Sequence, residues 1–316
     1  MDFDLFTTGD PATLKRLDAL PFSRWLRRRL TWRTLFFGTT VSEYLPAVAH
    51  IDARTQLESM LTAWKKSTRL LIIKDIPEDS PLLPADERAA AADLISVCEN
   101  EGFVPVAGQA LAYVNIDFQD EDEYLSRLSS GRRKNIRRKL RVRGDLRIEI
   151  VSTGSERLND AAFLEELYGL YLEVYAQSEI HFDRLSADFF RAVLRDGSID
   201  GHLFLYHASD KLIGFNLCFI HNGMLIDKYV GFRYPDARDH NLYFVSWMEN
   251  LAFASARRLS HYVAGWTDPE IKAYLGAKFT FTRHAVYVRN PLLRRVMGKF
   301  SKLFEHDKAW FEEMQR

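Results

Sequence analysis

The stretch HLFLYHASDKLIGFNLCFIHNGMLIDKYVGF, His202 to Phe232, holds three apolar runs separated by two short turn segments, ASDK and HNG. Runs joined by so few residues must pair with their sequence neighbours in antiparallel fashion, because a parallel return needs a crossover of about a dozen residues. A three-stranded meander is therefore expected here. On either side the period alternates between two and 3.6 residues. LRIEIVST (146–153) reads as a strand, AAFLEELYGLYLEVYAQ (161–177) as a strongly periodic helix, and LSADFFRAVLRD (185–196) as a second helix opened by Ser186. After the meander come a helix in NLYFVSWMENLAFASARRL (241–259), a short strand in HYVAGW (261–266), a helical turn in EIKAYLGAKF (270–279) and a strand in RHAVYVRN (283–290). The order is strand, two helices, three antiparallel strands, helix, strand, helix, strand, which is mixed α/β.

The first third of the chain reads as another α/β piece. LLIIKDI (70–76) suits a buried strand, ADERAAAADLISVCENEG (85–102) a helix ending at a glycine, and FVPVAGQALAYVNIDF (103–118) one or two strands. FSRWLRRRLTWRTLFF (22–37) mixes Trp and Leu with arginines and is expected to form a basic amphipathic helix. A chain of 316 residues is long for one core and suits two halves. The division expected is 1–120 as an N-terminal half, 121–145 as a connecting helix and 146–316 as a C-terminal half. No run of about 18 apolar residues is present, and the acidic start lacks the pattern of a secretory leader, so a cytoplasmic location is expected. Cys98 and Cys218 have apolar neighbours and read as core residues.

Charge is distributed unevenly. The protein carries 43 basic and 43 acidic residues, yet nine of the seventeen residues in GRRKNIRRKLRVRGDLR, Gly131 to Arg147, are Lys or Arg. With EDEYLSRLSS before it, the segment predicts a helix from Glu121 to Val142, with Leu125, Leu128, Ile136 and Leu140 as its apolar stripe. Arg133, Arg137 and Arg141 then project from one face. Three uses stand open: a solvated connecting helix, a seat for a phosphate-bearing substrate or donor, and a surface for nucleic acid or membrane. The neutral whole protein argues against duplex DNA.

The sequence contains no GxSxG, HExxH, Walker loop or strand-bound GxGxxG, and His181, His202, His207, His221, His240, His261 and His284 lack the spacing of metal ligands. Hydrolase, zincin, NTPase and dinucleotide readings gain no support.

In the segments YLSRLSSGRRKNIRRKLR, LSADFFRAVL, KLIGFNLCFIHNGMLIDKYVGF and NLYFVSWMENLAFASARRLSHYVAGWTDPEIKAYLGAKF, taken in order, the chain resembles the GNAT acyltransferases. More narrowly, residues from about 120 to 290 are similar to the Fem-type peptidyltransferases and the CelD/BcsL-type acetyltransferase-like proteins. The resemblance implies an α/β fold of tandem GNAT-like halves, each a mixed, mostly antiparallel sheet flanked by helices. It also implies that the lysine of EIKAYLGAKF, Lys272, lies near the transferred acyl group and stabilises charge there. Amine attack on an ester or thioester creates a tetrahedral oxyanion, which a fixed cation in a water-poor site stabilises. Asp227 and Tyr229 fall where such a fold splays its central strands, and either residue type can take or relay the amine's proton; Glu249 is a weaker candidate base. Trp266 lies beside the same region.

One departure concerns the donor. Where acetyl-CoA-dependent GNAT enzymes carry a glycine-rich loop that cradles pyrophosphate, this chain has FRYPDARDHNLYF, in which Arg233 and Arg238 are the available phosphate partners. The donor is left open among acyl-CoA, an acyl-carrier protein and the aminoacyl-tRNA of Fem-type enzymes, with no tightly bound cofactor. The expected function is transfer of an acyl or aminoacyl group onto an amine of an envelope precursor or small metabolite, with Arg133 and Arg137 positioning a phosphate-bearing reactant. The alternative is a non-catalytic GNAT-like module that recognises a phosphate-bearing ligand, RNA or a lipid surface, and peripheral membrane contact is compatible with both.

Overall fold

The computed structural model describes residues 2–4, 31–39, 41–45, 52–64, 68–178 and 184–300. In chain order the elements begin with β1 (Asp2–Asp4), β2 (Thr31–Phe37), α1 (Ala53–Trp64), β3 (Leu70–Pro77), α2 (Ala85–Asn100) and β4 (Val104–Asn115). Then follow α3 (Glu121–Ser126), α4 (Ser130–Lys139), a 3-10 turn over Leu140–Asp145, β5 (Leu146–Ser152), α5 (Ala161–Gln177) and α6 (Ala187–Arg195). The remainder is β6 (Gly201–Ala208), β7 (Lys211–His221), β8 (Met224–Phe232), α7 (Asp236–Asp239), α8 (Leu242–Ala256), β9 (His261–Gly265), α9 (Pro269–Leu275), β10 (Lys278–Val288) and α10 (Pro291–Phe300).

These elements form two compact units, one comprising Met1–Leu111 with Phe279–Arg316, the other Ala112–Lys278. The units divide the chain elsewhere than at 120 and 145. Strand β10 returns to the first unit because its apolar face completes that core. It runs antiparallel to β3, with Tyr287 opposite Leu71 and Val288 opposite Leu70, and Ala285 and Tyr287 pack with Leu57, Ile73, Leu94, Cys98 and Phe103. Strand β2 lies parallel to β3 on its other side. The segment 31–37, expected to be helical, is thus a strand: TWRTLFF is rich in β-branched and aromatic residues, and its pairing with buried β3 outweighs the amphipathic mix of apolar and basic residues that suggested a helix across 22–37. Residues 22–30 of that expected helix lie outside the described residues.

In the second unit the meander forms as expected: β5, β6, β7 and β8 pair antiparallel in sequence order. Strands β6 and β7 are buried along nearly their whole length, because both sheet faces are covered. On one face α5 and α6 seal a cluster of Leu164, Leu167, Leu170, Phe190, Leu203, Leu205, Phe215 and Leu217. On the other, α8 packs Trp247 against Tyr262 and Phe253 against Phe204. Burial of each such side chain contributes roughly 1.5–3 kcal/mol.

The helix expected from Glu121 to Val142 is broken. Asp120 caps α3 by accepting from Glu123 N at 2.8 Å, and Ser129 then adopts an extended conformation and caps α4. Two good N-caps nine residues apart start two short helices rather than one long one. No described helix is long and apolar enough to cross a membrane.

Candidate functional site

Two backbone irregularities in the second unit bring the candidate chemistry together. The first lies between β7 and β8, where Leu217 pairs with Tyr229 but Cys218 pairs with Asp227, leaving Lys228 as the extra residue of a β-bulge. Residues directly opposite in an antiparallel pair share a face. Asp227 therefore joins Cys218 on the α8 face, while Tyr229 joins Leu217 on the α5 face and lies edge-on to Tyr171. The second irregularity is the short parallel ladder between β8 and β9, which ends at the pairing of Ile226 with Val263. Asp227 is the first residue of β8 beyond it.

Asp227 is held by neutral donors. Asn216 Nδ2 donates to Oδ1 at 3.2 Å and to Oδ2 at 3.0 Å. Asn250 Nδ2 donates to Oδ2 at 3.1 Å and the Tyr262 hydroxyl to the same oxygen at 2.9 Å. Asn216, Asn250 and Tyr262 are all buried. Burial raises the Asp227 pKa above the usual carboxylate value, partly offset by the Asn216 and Tyr262 hydrogen bonds and the Lys272 charge. Three donors converge on Oδ2, so of the two oxygens Oδ1 keeps the more acceptor capacity.

Lys272 enters from α9, a helix whose ends the sequence sets. Asp268 takes positive φ before it, Pro269 occupies its first turn, and Gly276 ends it at φ +103°. The lysine is only 5% exposed. Burial lowers its pKa to about 8, against the attraction of Asp227 and Asp268 that favours the ammonium. Among the described residues Nζ has no hydrogen-bond partner, which leaves a buried cation with unused donors. Gly265, at φ +80°, ends β9 beside it; a Cβ there would lie 3.8 Å from Asp227 O and 3.9 Å from Lys272 Nζ. The arrangement is a carboxylate and an ammonium at the mouth of two diverging strands, fit to stabilise an anion and to accept a proton.

The basic helix finds part of its purpose here. Arg132 donates to Ala273 O at 3.4 Å and sits over the Tyr274 ring, and Asn135 donates to the Tyr274 hydroxyl at 2.7 Å. The Tyr124 hydroxyl donates to Leu275 O at 2.5 Å and accepts from Trp247 Nε1 at 3.3 Å. Helices α3, α4 and α8 thus fasten the helix that carries Lys272.

A family model described as peptidoglycan biosynthesis/recognition, FemAB-like, matches residues 82–315. The chain belongs to the FemAB-like family. No curated protein matches it in sequence. Among solved structures, the C-terminal domain of a putative lysylphosphatidylglycerol synthetase from Agrobacterium fabrum superposes with a TM-score of 0.56 at 13% identity, covering 84% of this chain and 82% of that one. FemX gives 0.48 at 12% identity, covering 82% and 85%. A tandem GNAT protein from the clavulanic acid biosynthesis pathway gives 0.42 at 13%, covering 78% and 73%. At such identities the first likeness speaks to the fold alone.

In this FemAB-like chain the residues expected to act together are partly separated. Asp227 and Lys272 share one face of the site; Tyr229 lies on the other side of the sheet. Arg133 donates to Ser126 O and Leu128 O at 3.2 and 2.8 Å, closing the end of α3, and Arg137 pairs with Asp122 at 2.7 Å. Arg233 pairs with Glu166 at 3.0 Å, and Arg238 donates to Gln177 at 2.9 Å and covers the Tyr234 ring, so both are drawn to α5. Glu249 pairs with Arg143 at 3.2 Å, and burial raises its pKa. Trp266 is half-buried directly after Gly265. Asn216, Asn250 and Tyr262 were not singled out from sequence. Asn216 and Asn250 are amides inside otherwise apolar runs, FNLCF and ENLAF, and that is the signal that could have marked them.

Proposed function

We propose that this FemAB-like protein transfers an aminoacyl or acyl group onto an amine of a cell-envelope precursor, at the site formed by Asp227 and Lys272. The observation that carries the reading is Lys272, a largely buried lysine with no protein hydrogen-bond partner among the described residues, set beside Gly265 close enough to buried Asp227 for the two charges to act on each other. A charge is costly to bury without a use for it, and a fixed cation in a water-poor site supplies what an oxyanion needs.

The chemistry follows from the two groups. The acceptor amine attacks the donor's carbonyl carbon and a C–N bond forms. The carbonyl electron pair moves to oxygen, where the Lys272 ammonium stabilises it. The amine's proton passes to Asp227 through Oδ1, the oxygen with acceptor capacity left. The electron pair returns, the bond to the donor oxygen or sulfur breaks, and the leaving atom takes the proton held by Asp227, which restores the carboxylate. Asn216, Asn250 and Tyr262 keep the Asp227 carboxylate oriented, and as donors they favour its ionised form.

The family's link to peptidoglycan biosynthesis and the likeness to the C-terminal domain of a putative lysylphosphatidylglycerol synthetase favour an aminoacyl donor. The loop 233–241 supports the same choice, since its two arginines are engaged by α5 and it has no glycine-rich turn. Titration of the protein with aminoacyl-tRNA, uncharged tRNA, acetyl-CoA and a longer acyl-CoA, followed by melting temperature, tests the donor. A ligand that binds only the native state raises the transition in a concentration-dependent way. A larger rise with charged than with uncharged tRNA is expected; a rise with acyl-CoA alone contradicts the aminoacyl assignment, and no rise with any donor favours a recognition module.

A further inference from the structure

Helix α10 leaves two large apolar side chains in solvent. Leu292 is 69% exposed, more than any other large hydrophobic residue among those described, and Leu293 is 42% exposed. The helix is anchored from its other side. Met297 packs against Leu70, Ile72, Val286 and Val288, while Arg294 donates to Gly102 O at 3.2 Å and covers the Tyr287 ring at 4.6 Å. Single exposed leucines are common and need no explanation. These two sit in a segment of unusual charge: from 289 to 304, RNPLLRRVMGKFSKLF has five Lys or Arg and no acidic residue, in a protein that is neutral as a whole. Positions 292, 295 and 299 fall on one helical stripe, so Leu292 and Arg295, both exposed, lie side by side.

We propose that α10 docks the protein on an anionic lipid surface, with Leu292 and Leu293 entering the acyl boundary and the exposed Arg295 meeting headgroup phosphates. The combination of exposed apolar and basic groups is what such an interface holds at once. A nucleic-acid backbone would use the arginines but leave Leu292 in water. A second copy of the helix across a two-fold axis would set like charges against each other. The inference uses residues apart from Asp227 and Lys272 and stands or falls without the transfer reaction.

Sedimentation of the full chain with vesicles tests it. Wild type is expected to pellet with vesicles of mixed phosphatidylglycerol and phosphatidylcholine, to remain in the supernatant with phosphatidylcholine alone, and to be released by high salt. The double variant Leu292→Asp, Leu293→Asp is expected to bind about ten-fold more weakly, and Arg295→Glu about ten-fold more weakly as well. Both substitutions are at exposed positions, and unchanged melting temperatures show that the fold is intact. Equal pelleting with both vesicle types, no pelleting with either, or double-variant binding equal to wild type would overturn the proposal. So would a dimer in light scattering that the double variant abolishes, which would assign the face to a second copy.

Discussion

Lys272, only 5% exposed, holds its proton with the help of neighbouring negative charge, that of Asp227 and Asp268. Its pKa of about 8 makes the proposed chemistry sensitive to pH in a definite direction. Below that value the ammonium is present and the oxyanion is stabilised; as pH rises through it the charge is lost. Turnover should therefore fall on the alkaline side with a midpoint near 8. Lys272→Arg keeps its charge at every accessible pH and should lose that limb even if its rate is lower. Should the limb persist in Lys272→Arg, it belongs to another group. Removal of the cation altogether, Lys272→Ala, should lower kcat by about a hundred- to a thousand-fold. Asp227 has the opposite dependence. The Asn216 and Tyr262 hydrogen bonds lower a pKa that burial has raised, so Asn216→Ala or Tyr262→Phe should move the acid limb of the rate profile to higher pH. A profile unchanged in both variants would remove Asp227 from the proton path.

At the scale of elements, the placement of Lys272 depends on α9 being held from three sides. Tyr124→Phe deletes a hydroxyl bonded to Leu275 O and Trp247 Nε1. The expected cost is about 1–2 kcal/mol in denaturant unfolding, with a lower kcat from a less firmly held lysine. Gly276→Ala should be worse, because φ is +103° and the new Cβ would lie 2.8 Å from Leu128. An Ala variant as stable as wild type would show that the helix end can re-form. These elements also show what the sequence makes legible. The meander, the helices α5, α6 and α8, and the turn carrying Lys272 are each specified by local period and local caps, and each appears where it was read. Asp227 and Tyr229, read as alternative proton acceptors on one strand, fall on opposite faces because a bulge at Lys228 reverses the facing of every residue past it, and nothing in IDKYVG marks one. The segment 31–37 was misread because a strand's partner, β3, decides its state. The arginines of α4 looked like ligand contacts; in the structure Arg132 and Arg133 serve backbone carbonyls, a use that only the fold can reveal.

For the molecule as a whole, the return of β10 to the first unit means that the two units are not consecutive in sequence. A chain ending at residue 277 should lose the first unit's core, because Ala285, Val286, Tyr287 and Val288 leave with β10, while 112–277 keeps the clusters around α5 and α8. Limited proteolysis read by mass spectrometry should find a protected fragment beginning near 112; protection of 1–111 instead would contradict this division. The proposed reaction makes an amide bond at Asp227 and Lys272. The direct measurement is product formation by mass spectrometry, with aminoacyl-tRNA as donor and an amine-bearing peptidoglycan precursor as acceptor, for wild type and Lys272→Ala. Wild type should yield the aminoacylated precursor, with the variant slower by about a hundred-fold or more and an unchanged donor-induced melting shift. Equal product from both proteins would contradict the assignment of the site.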